Sequence, residues 1–407
     1  MQEKESLVPI GFVISVAIPA TVTAATLVPA PRSWALGQLC WRLGFQANEL
    51  QLVVAGWVVF AVALAAVQGD LLTAGGFAGL VVGVLTLVGL AVGLRRAVQA
   101  GPVSARALSK GLGDNWRAAL PPDVMARLER RRPWARLLVA PLAVRRRDVV
   151  RAANLSYGPA GRQNLLDVYL PRSGAVTGPC LIYFHGGGYR TGRKNREARA
   201  LIYRLASQGW LCVSANYRLA RDAPFPAALV DAKRAIAWMR EHAATYGGDP
   251  SSVVVAGSSA GAHLAAMTAL TSNVAALQPG FEHVDTHVSA AICLYGFYGS
   301  PSWLDCEPGA PTAPLDQLRP DAPPMFIAHG THDSFVPVAA AREFVTHFTT
   351  TVPKQPLVYV ELPGAQHTFD LYHSVRFHAV IEAIDGFTAY LCSTQSIATR
   401  ATGRIGP

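Results

Sequence analysis

Three stretches without a single charged side chain, residues 6–31, 50–69 and 71–94, fix more about this chain than any other feature. Each reaches the roughly 20 residues that a helix needs to cross the hydrocarbon core of a bilayer. They are therefore expected to be transmembrane helices, with a buried hairpin of a soluble domain as the rival for the second and third. The first carries Pro9, Pro19 and Pro29 and has a cleaved signal peptide as its rival reading. Its flank, with Glu3 and Glu5 against Lys4, is a poor signal-peptide start, and a retained span is preferred. The second and third are separated by little more than Asp70 and read as a tight hairpin. The composition agrees: 51% of residues are hydrophobic and 15% charged, where a water-soluble domain carries roughly a quarter charged residues.

Charge then suggests a topology. Residues 95–151 hold fourteen Lys and Arg against Asp114, Asp123, Glu129 and Asp148, a surplus equal to the chain's formal net charge of +10. Basic residues directly after a span stay on the cytoplasmic side, and Arg32 and Arg42, placed in the loop after the first span, agree. The expectation is a multi-pass membrane protein with its C-terminal domain in the cytoplasm. The run at 132–145, where arginines flank apolar residues, reads either as a segment lying in an anionic lipid interface or as a solvated charge run. No nucleic-acid-binding pattern accompanies the charge, so nucleic acid is not an expected partner. Six cysteines show no metal spacing, and three of them sit in apolar strand-like runs as small buried hydrophobes.

The expected division is therefore a membrane region at 1–95 with about three transmembrane helices, an Arg-rich juxtamembrane linker at 96–151, a catalytic domain at 152–393, and a tail at 394–407. In the catalytic region, strand patterns near 154–157, 165–170, 180–184, 211–215, 253–256, 288–294, 325–328 and 357–362 alternate with helical patterns near 196–208, 226–246, 263–270, 338–348 and 375–391. Alternation of this kind means a mostly parallel sheet covered on both faces, with chemistry collected at the carboxyl ends of its strands.

Four features fall at those ends. Gly257-Ser258-Ser259-Ala260-Gly261 follows a Val-rich strand and opens a helix, the G-x-S-x-G pattern of a nucleophile elbow. His185-Gly186-Gly187-Gly188 follows another strand; its glycines let backbone N–H groups approach a developing oxyanion, with Gly187, Gly188 and Ala260 as the expected donors. His185 itself reads as structural. Asp333 and His367 lie in later strand-to-helix loops, in the order nucleophile, acid, base. A serine hydroxyl is a weak nucleophile, so a neighbouring base is required. His367 fills that role, and Asp333 orients it; Asp370 and Asp305 are the rival acids. His329 and His332 raise a metal as a remote alternative; neither a metal nor another cofactor is expected. Tyr189, Phe297 and Trp303 are candidate substrate contacts. A short Pro-rich insertion at 299–324 stands where lids often form.

Together with Leu166-Asp167-Val168-Tyr169-Leu170-Pro171 and Tyr246-Gly247-Gly248-Asp249-Pro250, these motifs resemble the hormone-sensitive-lipase-like and bacterial carboxylesterase branch of the α/β-hydrolases over about residues 152–393. The resemblance implies an α/β-hydrolase fold with about eight strands, preceded here by transmembrane helices, and cofactor-free hydrolysis of carboxylic esters through an acyl-enzyme. Two departures stand out: Ser258 precedes the nucleophile where many lipase-like members carry Asp, and the Asp333 segment is more like feruloyl-esterase, formamidase or oligopeptidase relatives. An amidase or peptidase on the same three residues, and an inactive hydrolase fold used for binding, are the alternatives. The small lid suggests short to medium acyl esters, whereas membrane attachment suggests lipid-derived ones.

Overall fold

A computed structural model describes residues 8–29, 33–128, 137 and 141–402. Most of the run at 132–145 falls outside them, as do Arg32 and the charges at 3–5. Eight strands form one sheet: β1 (Val149–Ser156), β2 (Leu165–Pro171), β3 (Cys180–Phe184), β4 (Leu211–Ala215), β5 (Val253–Ser258), β6 (Ala290–Leu294), β7 (Met325–Gly330) and β8 (Leu357–Leu362). Their order is β1-β2-β4-β3-β5-β6-β7-β8. The pairs β1/β2 and β2/β4 are antiparallel and the others parallel. Strands β3 to β7 are buried at every residue, which is why their sequences are continuous apolar runs rather than alternating ones. At the edge, β8 alternates between buried and half-buried positions. Cys180, Cys212 and Cys293 are buried in β3, β4 and β6.

The helices are α1 (Ile10–Leu27), α2 (Trp34–Glu49), α3 (Gln51–Gln68), α4 (Ala74–Leu112), α5 (Pro122–Leu128), α6 (Arg199–Ala206), α7 (Ala227–His242), α8 (Ala260–Leu270), α9 (Val338–Thr351) and α10 (Val375–Thr402). On one face of the sheet, α7, α8 and α9 bury Leu229, Ile236, Met239, Leu264, Met267, Phe344 and Phe348. The other face is covered by α6, α10 and the C-terminal part of α4, through Leu201, Leu205, Phe377, Ile384, Phe387, Ala100 and Leu108.

Helices α1, α3 and α4 are long and apolar enough to cross a membrane. The hairpin expected around Asp70 is a 3-10 turn, Asp70–Leu72, after which Thr73 Oγ1 caps α4 by accepting from the Gly76 N–H at 3.0 Å. The contact of α4 with α1 runs along small residues: a Cβ on Gly79 would sit 2.7 Å from the Phe12 ring, and one on Gly89 would sit 2.9 Å from Thr23. Small residues at such spacing let helices meet closely where no hydrophobic force drives them together.

Two features depart from the sequence reading. Helix α4 does not stop near residue 95; it runs on to Leu112, crossing the expected boundary between membrane region and linker, and its end packs on the sheet. A Cβ on Gly111 would lie 2.3 Å from the Leu357 carbonyl of β8. The segment around Arg42, read as a loop, is the helix α2.

Candidate active site

The elbow is built by close approach. Ser259 has φ 56° and ψ −119°, a conformation held at a cost on the order of 1–3 kcal/mol. Its N–H donates to the Leu294 carbonyl of β6 at 2.9 Å. A Cβ on Gly257 would stand 2.1 Å from the Gly261 carbonyl oxygen, and one on Gly261 would stand 2.1 Å from that of Phe184. Only glycine fits either position, so the flanking glycines are demanded by the turn. Ser259 is thereby left half-buried at the N-terminus of α8.

The three residues separated along the chain converge. His367 Nε2 lies 2.9 Å from Ser259 Oγ, and His367 Nδ1 lies 2.7 Å from Asp333 Oδ2. The other carboxylate oxygen of Asp333 accepts from the N–H groups of Phe335 and Val336 at 2.9 and 2.7 Å. His329 donates from Nε2 to the Val336 carbonyl at 2.9 Å and lies 3.4 Å from Asp333. Burial alone would raise the Asp333 pKa, but the charge of His367 and hydrogen bonds from both histidines outweigh it and hold the carboxyl well below its usual range. An ionised, fixed carboxylate orients the imidazole and favours its charged form.

The glycine loop meets this relay. A Cβ on Gly186 would sit 3.1 Å from the Ser259 Cβ. Gly187 and Gly188 adopt φ of 124° and 60°, and the Gly187 carbonyl is turned into a reverse turn with Arg190 and Thr191. Among the described residues, the N–H groups of Gly187, Gly188 and Ala260 donate to no acceptor. His185 is buried, stacks on Tyr217 at 4.4 Å, and bonds Gly186 O through Nδ1; desolvation pushes its pKa down to about 4.

The remaining candidates fall in different places. Asp370 does not reach His367: it accepts from Ser258 Oγ at 2.5 Å and from the Tyr295 hydroxyl, while Tyr183 donates to Ser258 at 2.7 Å. The carboxylate that Ser258 lacks is thus supplied from behind by another loop. Burial, then the charge of Glu197, raise Asp370 to about 7 against the partial offset of its hydrogen bonds. Asp305 uses its carbonyl to bond Phe225. His332 points its Nδ1 at Thr26 O of α1, 3.4 Å away, and so parts from His329. Tyr189 is 2% exposed, its ring among Tyr217, Phe225 and His263 and its hydroxyl on His263 Nδ1 at 2.7 Å. Phe297 packs edge-on to Trp303, which is 42% exposed.

Sequence reasoning missed Trp41. From α2, its indole stands edge-on to the His367 ring at 6.4 Å and to Phe335 at 5.3 Å, and donates to Thr368 Oγ1 at 3.2 Å. Phe335 stacks on His367 at 4.9 Å. The four-residue spacing of Gly37, Trp41 and Phe45 was the available signal. Below it, a buried polar knot ties α2 to α10: Arg376 bonds Glu49 and the Asn48 side chain (2.8 Å), Ser374 donates to Glu49 (2.5 Å), and Asn48 donates to Gly364 O (2.9 Å). Desolvation outweighs these partners and raises the Glu49 pKa.

Comparison with known proteins follows the same outline. The BD-FAE family matches residues 166–309. The probable carboxylic ester hydrolase LipM of Mycobacterium tuberculosis is 35% identical over 95% of this chain and 94% of its own. The esterase LipQ of the same organism is 39% identical over 60% of this chain and 63% of its own. Among solved structures, the Thermogutta terrifontis esterase Est2 with butyrate bound superposes with a TM-score of 0.50 at 27% identity, covering 57% of this chain and 92% of that one. A likeness to LipM that runs almost end to end, over a sheet of this strand order, makes this chain a carboxylic ester hydrolase of the hormone-sensitive-lipase-like branch of the α/β-hydrolases.

Proposed function

We propose that the protein is a membrane-anchored serine esterase with Ser259 as nucleophile, His367 as general base and acid, and Asp333 as the residue that orients His367. The observation that carries this reading is the unbroken relay from Asp333 through His367 to the Ser259 hydroxyl, beside three unpaired backbone N–H groups. His367 Nε2 takes the serine proton as Oγ attacks the ester carbonyl. The oxyanion that forms is met by the N–H groups of Gly187, Gly188 and Ala260, each worth on the order of 3–4 kcal/mol in the transition state. Collapse expels the alcohol, which takes the proton from His367 and leaves an acyl-enzyme on Ser259. Water, deprotonated by the same histidine, then releases the acid. Phe297 and Trp303 are proposed substrate contacts, and Tyr189 supports the glycine loop from inside.

Helices α1, α3 and α4 are proposed as the anchor, with the catalytic domain on the cytoplasmic side; the arginine surplus after residue 94 supports that orientation. The test uses the full chain in detergent with p-nitrophenyl butyrate, a fitting first substrate because a structural relative is solved with butyrate. Ser259→Ala is expected to lower kcat by on the order of 10⁴-fold or more and to abolish labelling by a fluorophosphonate. Wild-type turnover in that variant overturns the assignment, and faster cleavage of the matching anilide would move it to the amidases.

A further inference from the structure

The end of α1, the start of α3 and the part of α4 around residues 93–96 lie together beside the loops bearing Asp333 and His367. At the end of α1, the Thr26 carbonyl faces His332 at 3.4 Å, and Arg96 of α4 bonds Leu27 O at 3.5 Å. The same Arg96 side chain packs on Gly364, where a Cβ would meet it at 2.6 Å. Residues 332–336 and 363–368 therefore sit beside the ends of the segments proposed above to cross the bilayer.

Helix α2 lies in that gap and has two working faces. One is pressed on the active-site loops: Ser334 Oγ donates to Gly37 O at 2.8 Å, a Cβ on Gly37 would come 2.7 Å from the Ser334 carbonyl, and Trp41 covers His367. On a separate sector, Leu36, Leu39 and Leu43 form an uncovered apolar stripe, exposed by 54, 51 and 37%, with Arg42 and Gln46 exposed beside it. The connections are short. Only residues 28–33 separate α2 from α1, and Leu50 alone separates it from α3. A helix held between two spans by such links lies at the membrane boundary. An exposed leucine stripe at that depth is covered by acyl chains, with the flanking arginine reaching the headgroups.

We propose that α2 is an interfacial cap whose leucine stripe rests among the lipid acyl chains, and that the enzyme takes as substrate an acyl ester resident in the bilayer, delivered past Trp41 to Ser259. This rests on the reading of Ser259 as nucleophile and deepens it by naming the substrate class. Beyond the stripe, on the other face of α2, the rings of Trp41 and Phe335 make the approach to His367 apolar at its inner end. Trp41 is a positioning residue on that path.

The experiment reconstitutes the full chain in phosphatidylcholine vesicles and compares two substrates: water-soluble p-nitrophenyl acetate and vesicle-borne 4-methylumbelliferyl oleate. Combining Leu36→Gln, Leu39→Gln and Leu43→Gln is expected to leave acetate turnover unchanged and to lower oleate turnover roughly tenfold, since apolar contact with the leaflet is lost. Equal rates for variant and wild type on both substrates overturn the proposal, and so does an equal fall on both by folded protein. Where the triple variant does not fold, Leu39→Gln alone is judged by the same ratio, with a smaller selective fall expected. Ser259→Ala run in parallel separates the two readings: activity surviving there removes the nucleophile assignment, whatever the leucine variants do.

Discussion

The sheet region and the N-terminal helices bury apolar residues in opposite senses. Around the sheet, the large side chains are inside: Phe184, Phe326, Phe344 and Phe348 are fully buried. In the helices, Gly79, Gly83, Thr86, Gly89, Ala61 and Ala65 face inward, while Ile14, Ile18, Trp57, Phe60, Val67 and Leu85 face out. In water the outward set would be a large association surface; in lipid it is the ordinary solvent-facing side, and helix contact is left to small residues. Glycine shows the same divide. Gly257 and Gly261 serve a strained turn, and Gly79 and Gly89 serve a helix contact. The junction of the two regions adds to close-approach glycines, Gly37 and Gly111, something that neither region uses inside itself in this way: a buried ion pair, Arg376 with Glu49.

That junction gives the largest effect by which the comparison can be broken. Arg376→Met strands the Glu49 carboxylate in the interior and is expected to destabilise the full chain by about 3–5 kcal/mol, measured by thermal unfolding in detergent. Adding Glu49→Leu should recover most of it; no recovery would mean that the knot does not act as a pair. Next in size is the helix contact. Gly79→Leu forces a side chain against Phe12 and is expected to cost about 1–3 kcal/mol, whereas Phe77→Leu, on the outward face, should leave unfolding unchanged. Equal effects from both would erase the inside-out distinction.

The smallest effect at acid pH concerns Asp370. Its folded pKa, about 7, is raised above the ordinary carboxylate value of 3.8. Its contribution to stability is therefore fully present below about pH 4 and is lost as pH rises through about 7. Asp370→Asn does not titrate; its amide oxygen can accept from Tyr295, and its NH2 can donate to Ser258 Oγ with that hydrogen bond reversed. The wild type should match the variant most closely near pH 4 and fall behind it by pH 8; parallel Tm curves across that range would refute the shift.

The sheet was legible because its central strands, β3 to β7, are buried on both faces and so are written as unbroken apolar runs. Cys180–Phe184, Leu211–Ala215 and Leu357–Leu362 fall where the sequence predicts them. The three residues of the relay were also legible, since each follows such a run, and the structure brings them within hydrogen-bonding distance. Helix α2 was not, because its sequence mixes Gly37, Gly44 and Arg42 with apolar residues and its helical face is defined only by the loops it packs on. Nor was the partner of Ser258: nothing local marks Asp370 as the group that reaches behind the elbow. The extension of α4 was hidden because arginines after a span signal the end of hydrophobicity, not the end of a helix.

That extension bears on how the enzyme meets what it cleaves. One helix of 39 residues, at about 1.5 Å per residue, continues beyond its apolar part and locks onto β8 through Gly111. With α1, α3 and α4 in the bilayer as proposed, the catalytic unit so mounted would be a mast-borne head and not a ball on a string, kept at a constant height and heading above the lipid surface. Its search for esters would then be two-dimensional, at the pace of lateral diffusion in the leaflet.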